Sequence, residues 1–478
     1  MTASVHIPVL RQGEPYRSLR LETLGHAAGG EPVAEVSQAN AGLIARDLSG
    51  ARLAQRELAA LPAEELLRIC RRAGGLFAGA DLPLGEQVQP FEEYVAQLSA
   101  TTGLPRTLCR GNAAKIASAL EQMDRIVGGL TRGAGLEVID SGWGEQGGRT
   151  LSYRRLSDVL GAVLPNNSPG VHTLWLPALA LKVPLALKPG SREPWTSFRI
   201  AQAFIAAGCP PAAFSLYPGG HDAAGELLLR CGRSLLFGGE ETVAPWRGDP
   251  RVEIHGPGRS KVLIGSDAAG DWERALPLLL SSVADNSGRS CLNASGVWVP
   301  SQGREIAEAL ARRMAGIEPL PLDHPDAALA AFPDPEGARR ISDFIDRNLE
   351  TPGAVDLTAA VRGSGRVATA GGCTFLRPTV IWCEDPDHPL ADTEFLFPFV
   401  AVVEAPAEEM AQRIGPSLVV TALTEDPGLQ AQLMSSAGID RLNFGEVATN
   451  EIAWDQPHEG NLFELLYRQR AFTMRKRA

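Results

Sequence analysis

Apolar residues recur at helical spacing through the first 130 residues of the chain, with Gly and Pro between the periodic stretches. The repeat is clearest at residues 53–61, 64–77 and 112–130. Apolar positions three and four residues apart form one face of a helix, so each stretch predicts an amphipathic helix. We therefore expect this part of the chain to be mainly helical.

A different pattern begins near residue 158, where short apolar runs alternate with amphipathic segments up to residue 254. The runs predict strands at 159–164, 183–187, 213–217 and 234–237, and the segments predict helices at 171–181, 195–207 and 222–231. This order is typical of βαβ units in a parallel sheet. A second alternating stretch runs from 261 to about 430, with the proline-rich residues 319–335 as a surface connection.

Two further segments lie outside both alternations. Residues 135–153 contain Leu136-Glu-Val-Ile-Asp, a glycine-rich turn and Arg149-Thr-Leu-Ser-Tyr, which predicts a projecting β-hairpin. Residues 461–473 predict a helix that turns into an edge strand. The fold class is therefore α/β.

Composition narrows the functional class. The 478 residues carry a net charge of −11, and the basic triplet Arg475-Lys-Arg is too short for a nucleic-acid surface. No apolar run is long enough to span a membrane, and no signal peptide precedes the first segments. Seven scattered cysteines suit a reducing compartment. We expect a cytoplasmic enzyme without nucleic-acid or membrane partners.

Cys291 is the strongest candidate for chemistry. It stands in Asp285-Asn-Ser-Gly-Arg-Ser-Cys, among small and polar residues after an apolar segment. A reactive cysteine needs exposure and room for a substrate, and Gly288 and Ser290 leave that room. The other six cysteines have apolar or ordinary neighbours, and we interpret them as core residues.

Polar and glycine-rich segments follow several of the predicted strands, at the sheet edge where α/β proteins bind ligands. Asn166 and Asn167 follow the first strand, although two asparagines between prolines also build a simple turn. Lys188 ends the second strand. Glycines then occur where backbone N–H groups can approach a phosphate, at positions 219, 220, 225, 238 and 239.

Taken in order, these segments resemble the motifs of the aldehyde dehydrogenase superfamily, from about residue 53 to 472. The family has P-W-N, L-K-P, F-T-G-S, N-x-G-Q-x-C and E-x-F-G-P. The matching segments here are Pro165-Asn-Asn167, Leu187-Lys-Pro189, Phe237-Gly-Gly-Glu240, Asn286-Ser-Gly-Arg-Ser-Cys291 and Glu394-Phe-Leu-Phe-Pro398.

The resemblance implies a domain organisation. A Rossmann-type cofactor domain would comprise residues 1–134 and 155–254, and an α/β catalytic domain residues 255–440. Residues 135–154 and 441–478 would form a β-hairpin oligomerisation arm and C-terminal segment. The family assembles through this arm, so we expect a homodimer or homotetramer.

The resemblance also implies a mechanism: Cys291 attacks an aldehyde, a small-molecule substrate, and Asn167 with the Cys291 N–H stabilises the oxyanion. The cofactor would be NAD or NADP, with Lys188 at the adenosine ribose and Glu394 at the nicotinamide ribose. Further cofactor contacts are implied for Ser191, Gly220, Gly225, Gly239 and Glu240.

The chain departs from the family pattern in ways that bear on the mechanism. His255-Gly-Pro-Gly-Arg replaces E-L-G-G-K, so His255 stands in place of the general base; it is either a base or a structural residue. Glu240 replaces a phosphate-contacting serine, and Arg289 replaces the glutamine before the nucleophile. Three outcomes remain open: hydrolytic oxidation, acyl transfer to coenzyme A, and a catalytically retired protein.

Smaller inferences concern specificity. Ser191 stands where NAD-preferring relatives have a glutamate, and Arg192 follows it, which favours tolerance of NADP. Trp175 and Phe397 are candidates for lining a tunnel for an apolar or aromatic aldehyde.

We interpret three histidines near site loops as hydrogen-bonded residues rather than catalysts: His172, His221 and His458. No spacing of His, Cys and Asp predicts a metal site.

Overall fold

The computed structural model describes residues 5–474. Residues 1–4 and 475–478, which include the basic triplet at the C-terminus, lie outside the described part. Two seven-stranded sheets organise the chain, and helices pack on them. This arrangement confirms the predicted α/β class.

The first sheet contains the strands of the first alternation. Its first five strands are parallel and its last two pair antiparallel, in the order Val252–His255, Arg233–Phe237, Leu160–Val163, Leu185–Lys188, Phe214–Leu216, Val9–Arg11 and Glu14–Tyr16. Every residue of Leu160–Val163 is buried, because helices cover both faces of a parallel sheet.

The second sheet contains the strands of the second alternation. All its neighbours are parallel except the antiparallel first pair, in the order Ala354–Asp356, Thr379–Cys383, Phe399–Glu404, Ala294–Val299, Ser260–Ile264, Ser417–Leu423 and Ile439–Phe444. The boundaries assigned to the domains from the sequence stay a prediction.

Helices occupy most of residues 41–130, as predicted. They are Ala41–Leu48, Ala51–Ala59, Ala63–Gly79, Phe91–Thr102, Arg106–Glu121 and Met123–Leu130. The later helices are Glu137–Asp140, Pro177–Ala180, Trp195–Ala206, His221–Arg230, Glu240–Val243, Leu276–Ala284, Gly303–Met314, Pro335–Asn348, Leu357–Arg362, Ala407–Arg413, Pro427–Ser435 and Leu462–Leu466.

Residues 5–40 differ from the predicted helical interpretation. They contribute two strands to the first sheet, and a small sheet of Val5–Ile7, Pro32–Ser37 and Leu21–Gly25. Two further strand pairs lie elsewhere, Leu82–Leu84 with Gln87–Gln89 and Val367–Ala370 with Cys373–Leu376. These strands have only three to six residues, which is too few positions to show a clear period.

The predicted hairpin exists, but its first strand begins later than expected. Strand Trp143–Gln146 pairs with Arg149–Arg155, while Glu137–Asp140 is a short helix. Gly147 and Gly148 make the turn with positive φ angles. Strand Tyr467–Gln469 follows helix Leu462–Leu466 and joins the hairpin as a third strand, which confirms the predicted helix-to-strand end of the chain.

Two other expectations fail in part. The predicted helix at 171–181 is broken into the 3₁₀ helix Pro169–Leu174 and the short helix Pro177–Ala180, because Pro177 cannot continue a helix from the preceding turn. The connection at 319–335 is irregular, as expected, but its residues Leu329, Ala330 and Ala331 are buried rather than at the surface.

Candidate active site

A cavity of about 730 Å³ is lined by residues next to strands of both seven-stranded sheets. The carboxyl ends of Leu160–Val163, Arg233–Phe237 and Val252–His255 deliver side chains to it, together with the turn before Ala294–Val299. Five of the residues predicted from the sequence line this one cavity: Asn167, Gly239, His255, Cys291 and Glu394. The other five lie outside its lining: Lys188, Ser191, Gly220, Gly225 and Glu240.

The nucleophile loop, residues 285–290, has an unusual backbone. Asn286, Ser287 and Gly288 follow one another with φ angles of 52°, 58° and 62°. Left-handed conformations are costly for residues other than glycine and persist only where the surroundings impose them. A Cβ at Gly288 would lie 2.6 Å from the carbonyl carbon of Phe397, so this position requires glycine.

Directed hydrogen bonds impose the conformation of the nucleophile loop. Asn112 donates to Asn286 Oδ1 at 2.7 Å, and Asn286 donates to Ser168 Oγ at 3.0 Å. Ser168 in turn donates to Asn112 Oδ1 at 2.9 Å, which closes a ring of three side chains. The Ala330 N–H donates to Ser287 Oγ at 2.7 Å, so the buried connection at 319–335 holds this loop.

Cys291 is the partly exposed cysteine of the seven, and the other six are buried, as the sequence predicted. Burial raises the pKa of the Cys291 thiol, and the charges of Glu459 and Glu394 raise it further. Lys115 acts in the opposite direction and lowers this pKa. The thiol thus rests protonated, and a base or cation must help it to react.

Two donors lie beside Cys291. Asn167 uses one N–H of Nδ2 to donate to the Arg289 carbonyl at 3.0 Å, which leaves its second N–H for the cavity. The backbone N–H of Cys291 donates to no acceptor among residues 5–474. Such a pair of preorganised donors suits an oxyanion on a substrate held at the thiol.

Arg289 does not face a carboxylate. Its Nη2 donates to the Ala331 carbonyl at 2.6 Å, and its guanidinium lies 5.1 Å from the ring centre of Phe332. Burial lowers its pKa to about 10. The arginine that replaces the family glutamine therefore anchors the nucleophile loop to the buried connection.

His255 also lines the cavity and lies between two carboxylates. Its Nδ1 is 2.8 Å from Glu459 Oε2, and its Nε2 is 3.5 Å from Glu253 Oε1. Burial lowers the pKa of His255, but the two carboxylates outweigh burial and raise it to about 9. The ring also stacks on Phe237 at 4.4 Å between centres. We call His255, Glu253, His458 and Glu459 the histidine corner.

His458 has the opposite charge state. Burial lowers its pKa well below the ordinary value, and Arg441, Lys115 and His255 lower it further. Its Nδ1 is buried without a hydrogen-bond partner in the described structure. The sequence predicted a hydrogen-bonded residue at this position, and the unpaired Nδ1 does not fit that prediction within the described part of the chain.

Glu394 lies in the cavity lining but faces backbone donors. The N–H groups of Gly258 and Arg259 both donate to its carboxylate. Burial raises its pKa, while these two hydrogen bonds lower it. The predicted contact of Glu394 with a nicotinamide ribose therefore stays a prediction.

Lys188 and Ser191, two of the residues predicted to bind a dinucleotide, lie at the carboxyl end of a central strand of the first sheet. Lys188 ends strand Leu185–Lys188, and burial lowers its pKa while Glu22 raises it. Ser191 Oγ accepts from Asn166 at 3.3 Å, and the Arg192 N–H donates to Asn166 Oδ1 at 2.8 Å. A partly buried lysine without an ion-pair partner in the described part fits a ligand with hydroxyl or phosphate groups.

Three residues predicted to contact the cofactor, Gly220, Gly225 and Glu240, lie in or next to helices that follow strands of the first sheet. Gly220 precedes helix His221–Arg230, and Gly225 lies inside it, with nothing within 4 Å of a Cβ built there. Glu240 begins helix Glu240–Val243, and Arg247 binds its carboxylate through two contacts of 2.7 Å. This guanidinium offsets the negative charge of Glu240.

Two expectations about specificity are wrong. Trp175 is fully buried and donates to His172 Nδ1 at 3.1 Å, and Phe397 packs in the core of the second sheet. Neither lines the cavity, so they do not indicate an aromatic substrate. His172 is bound to Glu193 at 3.0 Å, in keeping with the structural role predicted for it.

No helix within residues 5–474 is long and apolar enough to cross a membrane. Over the same residues, no group of three or more His, Cys, Asp or Glu side chains could hold a metal ion.

Known proteins similar to this chain share one description. Residues 18–453 match the family model of the aldehyde dehydrogenase family. A betaine aldehyde dehydrogenase from Cereibacter sphaeroides is 26% identical over 426 residues, which cover 86% of this chain and 80% of that protein.

Two solved structures share the fold over nearly the whole chain. An NAD-dependent benzaldehyde dehydrogenase from Corynebacterium glutamicum superposes with a TM-score of 0.76 at 18% identity, covering 97% of each chain. An aldehyde dehydrogenase from Pseudomonas aeruginosa superposes with a TM-score of 0.77 at 19% identity, covering 98% of this chain and 96% of its own.

Proposed function

The chain belongs to the aldehyde dehydrogenase family, and we propose that it oxidises an aldehyde to a carboxylic acid through a thioacyl intermediate on Cys291. The observation that carries this proposal is the common cavity of Cys291, Asn167 and His255, whose positions lie far apart in sequence. NAD or NADP, when bound, accepts the hydride.

In this proposal, residues of the chain attack the aldehyde, stabilise the oxyanion that forms and hold the reacting groups in position. The Cys291 sulfur attacks the carbonyl carbon, and the carbonyl oxygen accepts hydrogen bonds from Asn167 Nδ2 and the Cys291 N–H. The nucleophile loop fixes the sulfur, because its ring of hydrogen bonds allows little movement. Lys188 and Glu394 would hold the two riboses.

The acyl acceptor is water in this proposal, and His255 takes the proton from it. With a pKa of about 9, only about one hundredth of His255 is deprotonated at pH 7. Because so little of the base form is present, we expect hydrolysis of the thioacyl intermediate to be slow at neutral pH. The same observation favours a second candidate, transfer to coenzyme A, because a thiol with a pKa near 8.5 needs less help from a base.

Cofactor choice and assembly extend the proposal. Ser191 places no carboxylate where it would repel a 2′-phosphate, and Arg192 follows it. We therefore expect the protein to tolerate NADP, and a strong preference for NAD in parallel assays would refute this.

The exposed edge of strand Trp143–Gln146 suits assembly into a homodimer or homotetramer in the cytoplasm, and light scattering would test the oligomeric state.

The test compares the wild type with Cys291→Ala on a panel of aldehydes, with each cofactor and with or without coenzyme A. We expect loss of aldehyde-dependent NAD(P)H formation by at least about 10³-fold, as nucleophile removal costs elsewhere. Cys231→Ala, a change at a buried cysteine, is the matched control. Full activity of Cys291→Ala would overturn the proposal, and strict dependence on coenzyme A would select the second candidate.

A further inference from the structure

The lysines of the chain fall into two groups. Four of the five lie in the described part, and two of these are ion-paired: Lys182 with Asp140 at 2.5 Å, and Lys261 with Asp392 at 3.0 Å. Lys115 and Lys188 have no ion-pair partner among residues 5–474. Lys188 has a ligand in the proposed function, whereas Lys115 has none.

Lys115 lies on helix Arg106–Glu121 and lines the same cavity as Cys291. Its side chain passes close to Gly170, where a Cβ would lie 3.6 Å from the Lys115 Cδ. The helix thus directs a partly buried ammonium group towards the reaction site. An unpaired ammonium away from bulk water costs free energy unless an anion joins it.

A second cation, Arg441, is close enough to Lys115 to lower its pKa. Arg441, on strand Ile439–Phe444, donates through Nη2 to the Glu451 carbonyl at 2.8 Å, and its Nη1 is buried without a partner in the described structure. Burial lowers the pKa of Lys115 to about 8, and Arg441 lowers it too, whereas Cys291 raises it. At pH 7 both side chains still carry their charge.

The carboxylates that line the cavity are already bound. Glu394 accepts from the N–H groups of Gly258 and Arg259. Asp285 accepts from Ser281 at 2.6 Å and from Asn450 at 3.2 Å. Among residues 5–474, the lining therefore offers a cation without an ion-pair partner, while both of its carboxylates already accept hydrogen bonds.

We propose that Lys115, supported by Arg441, forms an anion subsite, and that the substrate is an aldehyde that carries a carboxylate. This inference rests on the proposed function, since it names the substrate class of the same cavity. The carboxylate of the substrate binds the Lys115 ammonium, and its carbonyl group reaches Cys291. An alternative role for Lys115 is to stabilise the Cys291 thiolate, which the test must separate.

The test uses two matched pairs of aldehydes: 4-oxobutanoate with its methyl ester, and 4-carboxybenzaldehyde with its methyl ester. We expect the wild type to prefer the acid of at least one pair, through a lower KM. Lys115→Met should lower kcat/KM for that acid by about 10- to 100-fold more than for its ester, the range for hydrogen bonds to charged groups. Arg110→Met, at an exposed position of the same helix, is the matched control.

The outcomes separate three cases. Equal losses on acid and ester, with slower alkylation of Cys291 by iodoacetamide, would assign Lys115 to the thiolate and overturn the subsite. The same holds if the wild type shows no preference in either pair. If no aldehyde of either pair is oxidised, the deciding measurement is whether succinate or terephthalate protects Cys291 from iodoacetamide. Protection of the wild type that is lost in Lys115→Met supports the anion subsite, although the proposed oxidation fails. Absence of protection overturns both the subsite and the oxidation.

Discussion

The nucleophile loop and the histidine corner lie in the same active-site region and are held in different ways. In the nucleophile loop, Asn112, Ser168 and Asn286 form a closed ring of hydrogen bonds. In the histidine corner, Nδ1 and Nε2 of His255 make no directed hydrogen bond in the described structure, although Glu459 is 2.8 Å away. Directed bonds fix a position, whereas unaligned charges mainly fix a protonation state.

The two regions therefore control different properties of the site: the nucleophile loop controls its geometry, and the histidine corner controls its pH dependence. The nucleophile loop places Cys291 and its donors, so changes there should act on rate at every pH. The histidine corner controls one proton, so changes there should move a pH profile.

The largest effect should come from Asn167→Ala. Removal of one preorganised donor costs about 10²–10³ in kcat, because the developing oxyanion loses its hydrogen bond. Steady-state kinetics from pH 6 to 9 would measure it, and we expect the same loss at each pH. A loss below about fivefold, or one confined to part of that range, would remove Asn167 from the oxyanion site.

A smaller, pH-dependent effect should come from the histidine corner. Hydrolytic acyl release should rise about tenfold per pH unit up to pH 9, because the base form of His255 increases in this proportion below its pKa of about 9. Glu459→Gln removes a carboxylate that raises this pKa, so the rise should move to lower pH.

Stopped-flow measurement of the thioacyl release phase would follow both enzymes. His255→Gln is the matched variant, and it should abolish the rise. A release rate that is flat between pH 6 and 9 in the wild type would show that His255 is not the base.

Asn112→Asp should act mainly on stability. The change keeps the acceptor for Ser168 but removes the donor to Asn286 Oδ1, and a buried partner left unsatisfied costs about 1–3 kcal/mol. Urea unfolding would measure the loss. Stability equal to the wild type would mean that the ring does not hold the nucleophile loop.

The smallest effect should come from Glu240→Gln, which weakens an exposed ion pair with Arg247. Such pairs contribute about 0–1 kcal/mol, so the unfolding free energy should hardly change. A larger loss in the same urea experiment would show that this pair stabilises more than surface charge pairs usually do.

Local sequence was enough to predict much of the site. Gly288 and Ser290 beside Cys291 indicated a reactive cysteine, and buried runs such as Leu160–Val163 predicted the parallel sheet. It could not predict that residues 329–331 are buried under the nucleophile loop, since a short apolar run does not reveal which distant segment it packs against. It also placed Trp175 at the substrate, where the fold puts it in the core.

From the sequence alone one can predict the α/β alternation, the candidate nucleophile and the family resemblance, because these depend on periodicity and on motifs of a few adjacent residues. Only the tertiary structure decided the electrostatics. Glu459 lies 204 positions beyond His255, and Lys115 lies 176 positions before Cys291. Charge acts through space rather than along the chain, so the proton on His255 and the unpaired ammonium of Lys115 became visible only once the chain was folded.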